Sequence, residues 1–261
     1  MTSETPSNYI FTQSKGKFNF KNPELYFKDL PHSSFAKEIA YALSNLCRYG
    51  GHCDRFYSVL HHTLLGYQTL VDMRVPITDR IKDDLKVTTE QSQRVFHYAV
   101  VLWLLHDASE AYLCDVPSPL KAILPEYSSL EESVESAIND IYFSTRAGST
   151  CYGDELPYAK NLVRIMDMAM LCAEKKLLVS DLEEWHRLGE FLKEDFNRSI
   201  ANQAHYNLKW WIASTEASIY YTALGGRFKS DDETGNRDTL SHLLNLLNYP
   251  RDLSRSLPTL L

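Results

Sequence analysis

The stretch LWLLHDASEAYLCDVPSPLK, residues 102–121, places three ionisable side chains at the end of an apolar run. His106 and Asp107 follow that run directly, and Glu110 comes four residues after His106. On a helix, His106 and Glu110 would share one face, whereas Asp107 would lie about 100° around the axis. Charged groups at the end of a core segment are costly to bury unless something pairs them. A metal ion is one such partner, and its other ligands would have to come from elsewhere in the chain.

Candidate ligands occur in two further helical segments. His61 and His62 lie in YSVLHHTLL, which has the spacing of an amphipathic helix, and the period alone does not choose between them. Asp167 lies in NLVRIMDMAMLCAE on a stripe of apolar residues, where an unpaired carboxylate would cost several kcal/mol. The alternative for Asp167 is a buried salt bridge to Arg164 or another basic residue.

These candidates form a set of two imidazoles and two carboxylates: His61 or His62, His106, Asp107 and Asp167. Such a set suits Mn, Fe, Co, Ni or Zn better than it suits Ca. An octahedral ion would keep two further positions for a water molecule and a phosphate oxygen. Taken alone, the His-Asp pair has a plainer explanation, which is a capped histidine that faces solvent.

The spacing of apolar residues predicts an all-α fold. Helical periodicity covers residues 34–47, about 54–73 and about 90–113, and it resumes at residues 130, 159 and 202. We expect Val75-Pro76 to end the second helix, residues 146–157 to form a loop, and the tail from Arg227 to form a short helix behind a mobile linker. The first thirty or so residues read as an irregular arm, and no alternating strand of convincing length is present.

Composition narrows the class of protein. The net charge of −7 over 261 residues argues against stable nucleic-acid binding, which needs a basic face. Five cysteines without a C-x-x-C pair argue against a disulfide framework. The start lacks a secretory signal, and the apolar run over residues 98–105 is too short to cross a bilayer. We therefore expect a soluble cytoplasmic protein with no membrane contact.

The order H…HD…D on helices resembles the HD-domain superfamily of metal-dependent phosphohydrolases. The pieces RYGGH, FYSVLHH, LLHDASEAYLCDVPSPLK and RIMDMAMLCAE resemble two of its groups, and the match covers about residues 45–178. These groups are the bacterial HD-type 5'-deoxynucleotidases and the phage HD-type deoxynucleoside triphosphate triphosphohydrolases, including those that hydrolyse dATP. The resemblance implies an HD-domain helical bundle over residues 33–200, an N-terminal arm over 1–32, and a C-terminal helical extension and tail over 201–261. It also implies a bacterial or phage-infected host cytosol and a homo-oligomer.

Carried over by position, the resemblance assigns roles to single residues. The metal ligands would be His62, His106, Asp107 and Asp167, which selects His62 over His61. The predicted catalytic residues are Glu110, which would move protons, and Asp115, which could accept a hydrogen bond from a sugar hydroxyl. The predicted substrate contacts are Arg48, Tyr49, Lys121 and Arg164, with the last two placed to meet phosphate. The alternatives are that Glu110 only orients His106, that Asp115 only caps its turn, and that both basic residues are solvated.

The predicted function is hydrolysis of deoxynucleotides with one divalent transition metal (Co, Mn, Fe, Ni or Zn). An additional Mg or Mn ion could accompany the phosphate chain. Basic residues at both Lys121 and Arg164 favour a dNTP triphosphohydrolase that releases deoxynucleoside and triphosphate. The alternatives are a 5'-deoxynucleotidase that acts on monophosphates and a catalytically silent HD module that binds a nucleotide for regulation.

Overall fold

The computed structural model describes residues 8–143, 154–179 and 186–223, and most of these residues are helical. The all-α prediction is confirmed, with one small antiparallel hairpin in the part of the chain described. The elements are β1 (Tyr9–Phe11), β2 (Lys17–Asn19), α1 (Pro23–Asp29), α2 (His32–Asn45), α3 (Val59–Asp72), α4 (Arg74–Leu85), α5 (Thr89–Leu105), α6 (Glu110–Leu113), α7 (Ser118–Lys121), α8 (Pro125–Phe143), α9 (Glu155–Leu178), α10 (His186–Phe191) and α11 (Asp195–Ala223). None of the helices in these ranges is both long and apolar enough to cross a bilayer.

Residues 9–29 form a hairpin and a helix, so the prediction of an irregular arm is wrong for this part of the chain. Strand β1 pairs with β2 in a register that sets Ile10 opposite Phe18. Pro23 opens α1, where its fixed φ suits the first turn and its missing N–H is not needed. Phe18 and Phe27 are almost fully buried, which ties both elements to the core. Strands of three residues are too short for an alternating pattern to reveal them.

The second predicted helix starts later than expected, at Val59 rather than near residue 54. Ser58 caps it, because the Ser58 hydroxyl accepts a hydrogen bond from the backbone N–H of His61. The His61 ring in turn accepts from the Ser58 N–H, which completes a capping box. Ser58 also pairs with Cys47 in an isolated antiparallel bridge, so the chain before the cap is extended. Because the cap fixes the start of α3, it also fixes the position on the helix of His62, the residue after His61.

Pro76 does not end a helix as predicted. Helix α3 already ends at Asp72, and Pro76 is the third residue of α4, within the first turn, which tolerates proline. The charged stretch that follows is therefore helical, and its buried residues Ile77 and Ile81 face α5.

Helix α9 begins inside the predicted loop 146–157, at Glu155, where an ion pair to Arg94 of α5 fixes its first turn. The rest of that loop up to residue 153 and the predicted tail from Arg227 lie outside the described residues.

The helix predicted over residues 90–113 is interrupted between Leu105 and Glu110. Tight turns take its place, with hydrogen bonds from Ala108 N–H to the Leu105 carbonyl and from Glu110 N–H to the Asp107 carbonyl. His106 and Glu110 therefore do not lie on one face of a continuous helix, contrary to the expectation from their spacing. The interruption separates α5, which ends at Leu105, from α6, which begins at Glu110, and His106 and Asp107 lie in the break.

The core forms where α3, α5 and α11 pack around α9. Trp103 of α5 is fully buried and donates its indole N–H to the Thr63 carbonyl of α3 at 2.8 Å. Gly66 permits this approach, since a Cβ there would lie 2.0 Å from the Trp103 ring. Helix α11 buries Leu208 in the same core, and the predicted boundary between residues 200 and 201 falls inside this helix. The close contact of α3 with α5 brings the two histidine-bearing segments together.

Candidate metal centre

Two histidine rings meet in the interior at the contact of α3 with α5. His62 is fully buried, and its Nε2 lies 3.2 Å from Nε2 of His106, the residue that follows α5. The other nitrogen of each ring is already engaged. His62 Nδ1 lies 2.6 Å from a Glu174 carboxylate oxygen, and His106 Nδ1 lies 2.6 Å from the Trp103 carbonyl. Because both acceptors require a proton on Nδ1, each neutral ring presents its Nε2 lone pair to the other ring.

Two carboxylates complete the cluster. Asp107 Oδ2 lies 3.2 Å from His106 Nε2 and 3.8 Å from His62 Nε2. Asp167 Oδ1 lies 3.5 Å from His62 Nε2. His62, His106 and Asp107 each offer one ligand atom, and these atoms all lie within 4.8 Å of one another. The structure thus brings together three of the four residues that the sequence analysis named as ligands, and the fourth, Asp167, lies beside one of them, His62.

Asp167 departs from its predicted environment. Its side chain is 48% exposed, so the expectation of a carboxylate buried on an apolar stripe is wrong. Met166 and Met170 of α9 point into the core, and Asp167 lies at the edge of that face. The alternative of a buried salt bridge to Arg164 is also wrong, because Arg164 is exposed and no such pair occurs between these two described residues. Asp167 reaches the cluster from its solvent side.

The donor set fits a transition metal. Two bonds of about 2.0–2.1 Å that meet at about 90–110° place two nitrogens about 2.8–3.4 Å apart, which includes the 3.2 Å observed between His62 and His106. Two lone pairs at that distance repel each other unless a cation or proton lies between them. Imidazole nitrogen together with carboxylate oxygen suits the borderline divalent ions. The ions that this donor set suits are Mn, Fe, Co, Ni and Zn.

Glu174 is a central residue of the site that the sequence analysis did not single out. It is fully buried, and besides His62 it accepts hydrogen bonds from Tyr49 at 2.6 Å and Tyr57 at 2.8 Å. Burial alone would raise the pKa of Glu174, but Arg48 and His62 lower it to about 2. The carboxylate is therefore ionised and holds the His62 ring in one tautomer. The sequence carried one signal for it, since Glu174 lies seven residues, or about two helical turns, after Asp167 on α9.

Arg48 and Tyr49 lie behind the ligands. The Arg48 guanidinium is 3.3 Å from Asp107 Oδ2 and 3.4 Å from Glu174 Oε2, so it links a predicted ligand to the carboxylate behind His62. Tyr49 occupies a left-handed backbone conformation (φ 59°) that directs the chain through the tight turn over residues 48–51. Both side chains, predicted as substrate contacts, are engaged by carboxylates of the site itself.

The ion pairs around Asp107 keep it charged. Burial alone would raise the pKa of Asp107, but His106, His62 and Arg48 hold it well below its usual range. Burial alone would lower the pKa of His106, but the neighbouring Asp107 carboxylate raises it above the ordinary value. An anionic Asp107 beside two Nε2 atoms is the protonation state that metal binding needs.

Glu110 and Asp115, the predicted catalytic residues, lie at the start of the short helix α6 and two residues after its end. Glu110 is 6% exposed, and its Oε2 is buried without a hydrogen-bond partner in the part of the chain described. Burial, followed by the charges of Asp107 and Asp115, raises the pKa of Glu110 to about 10. Burial also raises the pKa of Asp115, which is half-buried. Glu110 therefore holds a proton at neutral pH close to the predicted ligands.

The two predicted phosphate contacts differ in their surroundings. The Lys121 ammonium lies 2.5 Å from Glu131 of α8. Burial alone would lower the pKa of Lys121, but Glu131 raises it, with further contributions from Glu110 and Asp107. Lys121 is thus within electrostatic reach of the cluster but already has a carboxylate partner. Arg164 is exposed on α9, one turn before Asp167.

Comparison with known proteins identifies a relative of this chain. No family model matches the chain. The chain is 32% identical over 144 residues to a protein of Escherichia coli (strain K12) described as "Uncharacterized protein YfdR". The match covers 55% of this chain and 61% of that protein, so the chain spans less than two thirds of its relative's length. This similarity extends over a large part of both proteins, and the relative's description names no activity.

Proposed function

We propose that this protein is a metal-dependent phosphohydrolase of the HD type that acts on deoxynucleotides. The observation that carries the proposal is the facing pair of Nε2 atoms of His62 and His106, 3.2 Å apart, with the carboxylates of Asp107 and Asp167 beside them. These four residues would hold one divalent transition metal. When bound, such an ion polarises a phosphate and lowers the pKa of a coordinated water.

The protein's own groups supply the proton chemistry. Glu110 carries a proton at neutral pH and can donate it to the oxygen that leaves the phosphorus. Its buried, unpartnered Oε2 leaves one side of the carboxyl group available for this exchange. Asp115, half-buried just beyond α6, can accept a hydrogen bond from a sugar hydroxyl. Arg48 holds Asp107 and Glu174 in place rather than meeting the phosphate.

The surroundings of the basic residues favour a monophosphate as substrate. Arg48 is paired with Asp107 and Glu174, and Lys121 is paired with Glu131. A monophosphate carries fewer negative charges than a triphosphate. Fewer of these basic side chains would therefore have to leave their carboxylate partners to bind it. We therefore place the 5'-deoxynucleotidase reaction first, although the sequence alone favoured the triphosphohydrolase.

The dNTP triphosphohydrolase is the second candidate, and one observation favours it. Arg164 is exposed one turn before Asp167, and no ion pair engages it among the described residues. Its guanidinium is therefore available to a longer phosphate chain on the solvent side of the cluster. This reaction would also require Lys121 to leave Glu131.

A product assay separates the candidates. Metal-free protein is loaded with Mn²⁺ or Co²⁺ and incubated with each dNMP and each dNTP, and the phosphorus products are identified by chromatography. Orthophosphate and nucleoside from a dNMP support the first candidate, and tripolyphosphate from a dNTP supports the second. Binding of a nucleotide without turnover, for every metal tried, would overturn both and favour a silent nucleotide-binding module.

A further inference from the structure

A second buried carboxylate, Glu38 of α2, joins the N-terminal residues to the helix that carries Glu110. Glu38 is 2% exposed and accepts hydrogen bonds from three different elements. Tyr26 of α1 donates to both its oxygens at 2.8 and 2.9 Å. Ser14 in the hairpin turn donates through its backbone N–H at 3.3 Å and through its hydroxyl. Tyr112 of α6 donates to Glu38 Oε1 at 2.9 Å.

The ring of Tyr112 is held by the same N-terminal residues. It is 4% exposed and stacks on Phe18 of β2, with ring centroids 4.3 Å apart and planes 24° apart. Phe27 of α1 packs edge-on against it at 5.3 Å. Stacked and edge-on aromatic pairs of this kind are stabilising beyond the apolar area that they bury. The hydroxyl and the ring of Tyr112 are thus both fastened by residues that precede α3.

Helix α6 depends on such contacts for its orientation. It has only four residues, Glu110–Leu113, and a helix this short has no stability of its own. Cys114 then adopts a positive φ (67°), which is uncommon for a residue other than glycine. Tyr127 of α8 donates to the carbonyls of Leu113 and Cys114 from the other side. Tertiary contacts therefore decide where the side chains of Glu110 and Asp115 point.

We propose that Glu38, Phe18 and Phe27 form part of the functional site, because they position α6 through Tyr112. Tyr112 and Glu38 are positioning residues, and Glu110 and Asp115 are the groups that they place. This inference rests on the proposed function in one respect, which is that Glu110 and Asp115 act on the substrate. It extends that function to a segment for which the sequence analysis found no role.

The test uses two tyrosine variants, each of which removes one hydroxyl that donates a hydrogen bond to Glu38. Tyr112→Phe removes the hydroxyl on α6, and Tyr26→Phe removes the hydroxyl on α1, which also contacts Thr12 and Ser14. Since a hydrogen bond contributes about 0.5–1.5 kcal/mol net, Tyr112→Phe should lower kcat by roughly 3- to 10-fold with bound metal and KM unchanged. Tyr26→Phe should leave kcat within about twofold, although it removes at least as many hydrogen bonds. Equal losses of kcat in the two variants would mean that Tyr112 is only structural.

Hydrogen exchange gives a readout that does not need activity. In Tyr112→Phe, amides of residues 108–116 should exchange faster than in the wild type, because α6 opens more often. In Tyr26→Phe, the increase should be confined to the hairpin and α1. Unchanged exchange over residues 108–116 in Tyr112→Phe overturns the proposal. If the wild type hydrolyses no nucleotide, the proposed function fails, and the exchange measurement still decides whether the N-terminal residues hold α6.

Discussion

The imidazole of His62 lies between a carboxylate and a second imidazole, with Nδ1 2.6 Å from Glu174 and Nε2 3.2 Å from His106. This relationship joins α3, α9 and the end of α5 at one point. It assigns the two nitrogens of one ring to different tasks, since Nδ1 donates to Glu174 and Nε2 presents a lone pair. The neighbouring His61 has no such partners, because its ring caps α3 through Ser58 and packs against Tyr57 and Trp211.

The two adjacent histidines therefore form a matched pair for mutation. We expect His62→Gln to lose the bound metal and all metal-dependent activity, because the amide replaces a nitrogen ligand. His61→Gln should keep both, since Gln at the third helical position also completes a capping box with Ser58. Elemental analysis of the purified variants measures the outcome. Full metal occupancy in His62→Gln would show that the site is elsewhere.

Asp167→Ala should separate metal binding from stability. Its carboxylate is 48% exposed, so its removal should change the free energy of unfolding of the metal-free protein by no more than about 0.5 kcal/mol. Metal occupancy should nevertheless be lost, because a ligand is missing. Urea unfolding and metal analysis on the same preparation test both parts. A variant that retains its metal would remove Asp167 from the ligand set.

Glu174→Gln should weaken metal binding, although Glu174 supplies no ligand atom. The amide can no longer accept from Tyr49, Tyr57 and His62 at once, so the His62 ring loses its fixed tautomer. Loss of a partner that orients a metal ligand typically costs 10- to 100-fold in affinity, and we expect a loss of about that size for Co²⁺ or Zn²⁺. Titration against a chelator of known affinity measures it. An unchanged dissociation constant would show that Glu174 serves only the packing of α9.

Glu110→Gln should be more stable than the wild type at neutral pH and nearly inactive. The folded-state pKa of Glu110, about 10, lies above its ordinary value, so the folded protein retains a proton that the unfolded chain releases. The stability from this proton is present at acidic pH and is lost as the pH rises toward 10. The difference between variant and wild type should therefore grow from pH 5 to pH 9 in urea unfolding of metal-free protein.

The activity of the same variant tests its proton-transfer role. Loss of a general acid or base typically costs roughly 10²–10⁴ in kcat, and we expect that loss with metal and substrate still bound. Loss of the metal in Glu110→Gln would instead identify Glu110 as a ligand.

Lys121→Ala and Arg164→Ala should reveal the length of the phosphate chain. If either residue contacts a triphosphate, its removal should raise KM for a dNTP by roughly 10- to 100-fold and KM for the matching dNMP much less, since a charge-assisted hydrogen bond is worth about 1.5–3 kcal/mol. Glu131→Gln is the control for Lys121, because it frees the ammonium without removing it. Equal effects on both substrates would exclude the triphosphate candidate.

The sequence by itself was sufficient for the all-α class and for the candidate ligands. Helical periodicity is a local property, and polar residues that interrupt it, such as His106 and Asp107, are visible without any structure. The resemblance to HD phosphohydrolases added the choice of His62 over His61. Short elements were not predictable, because the three-residue strands and the break between Leu105 and Glu110 are set by contacts rather than by propensity.

Only the tertiary structure decided which groups act together. Glu174 lies 112 residues from His62, and Tyr112 lies 74 residues from Glu38, so neither pairing leaves a trace in local spacing. The same holds for the half-exposed position of Asp167, which depends on how α9 is rotated against its neighbours. The reason is physical: a residue type reports what chemistry a side chain can do, whereas burial and partner geometry determine its charge and its orientation.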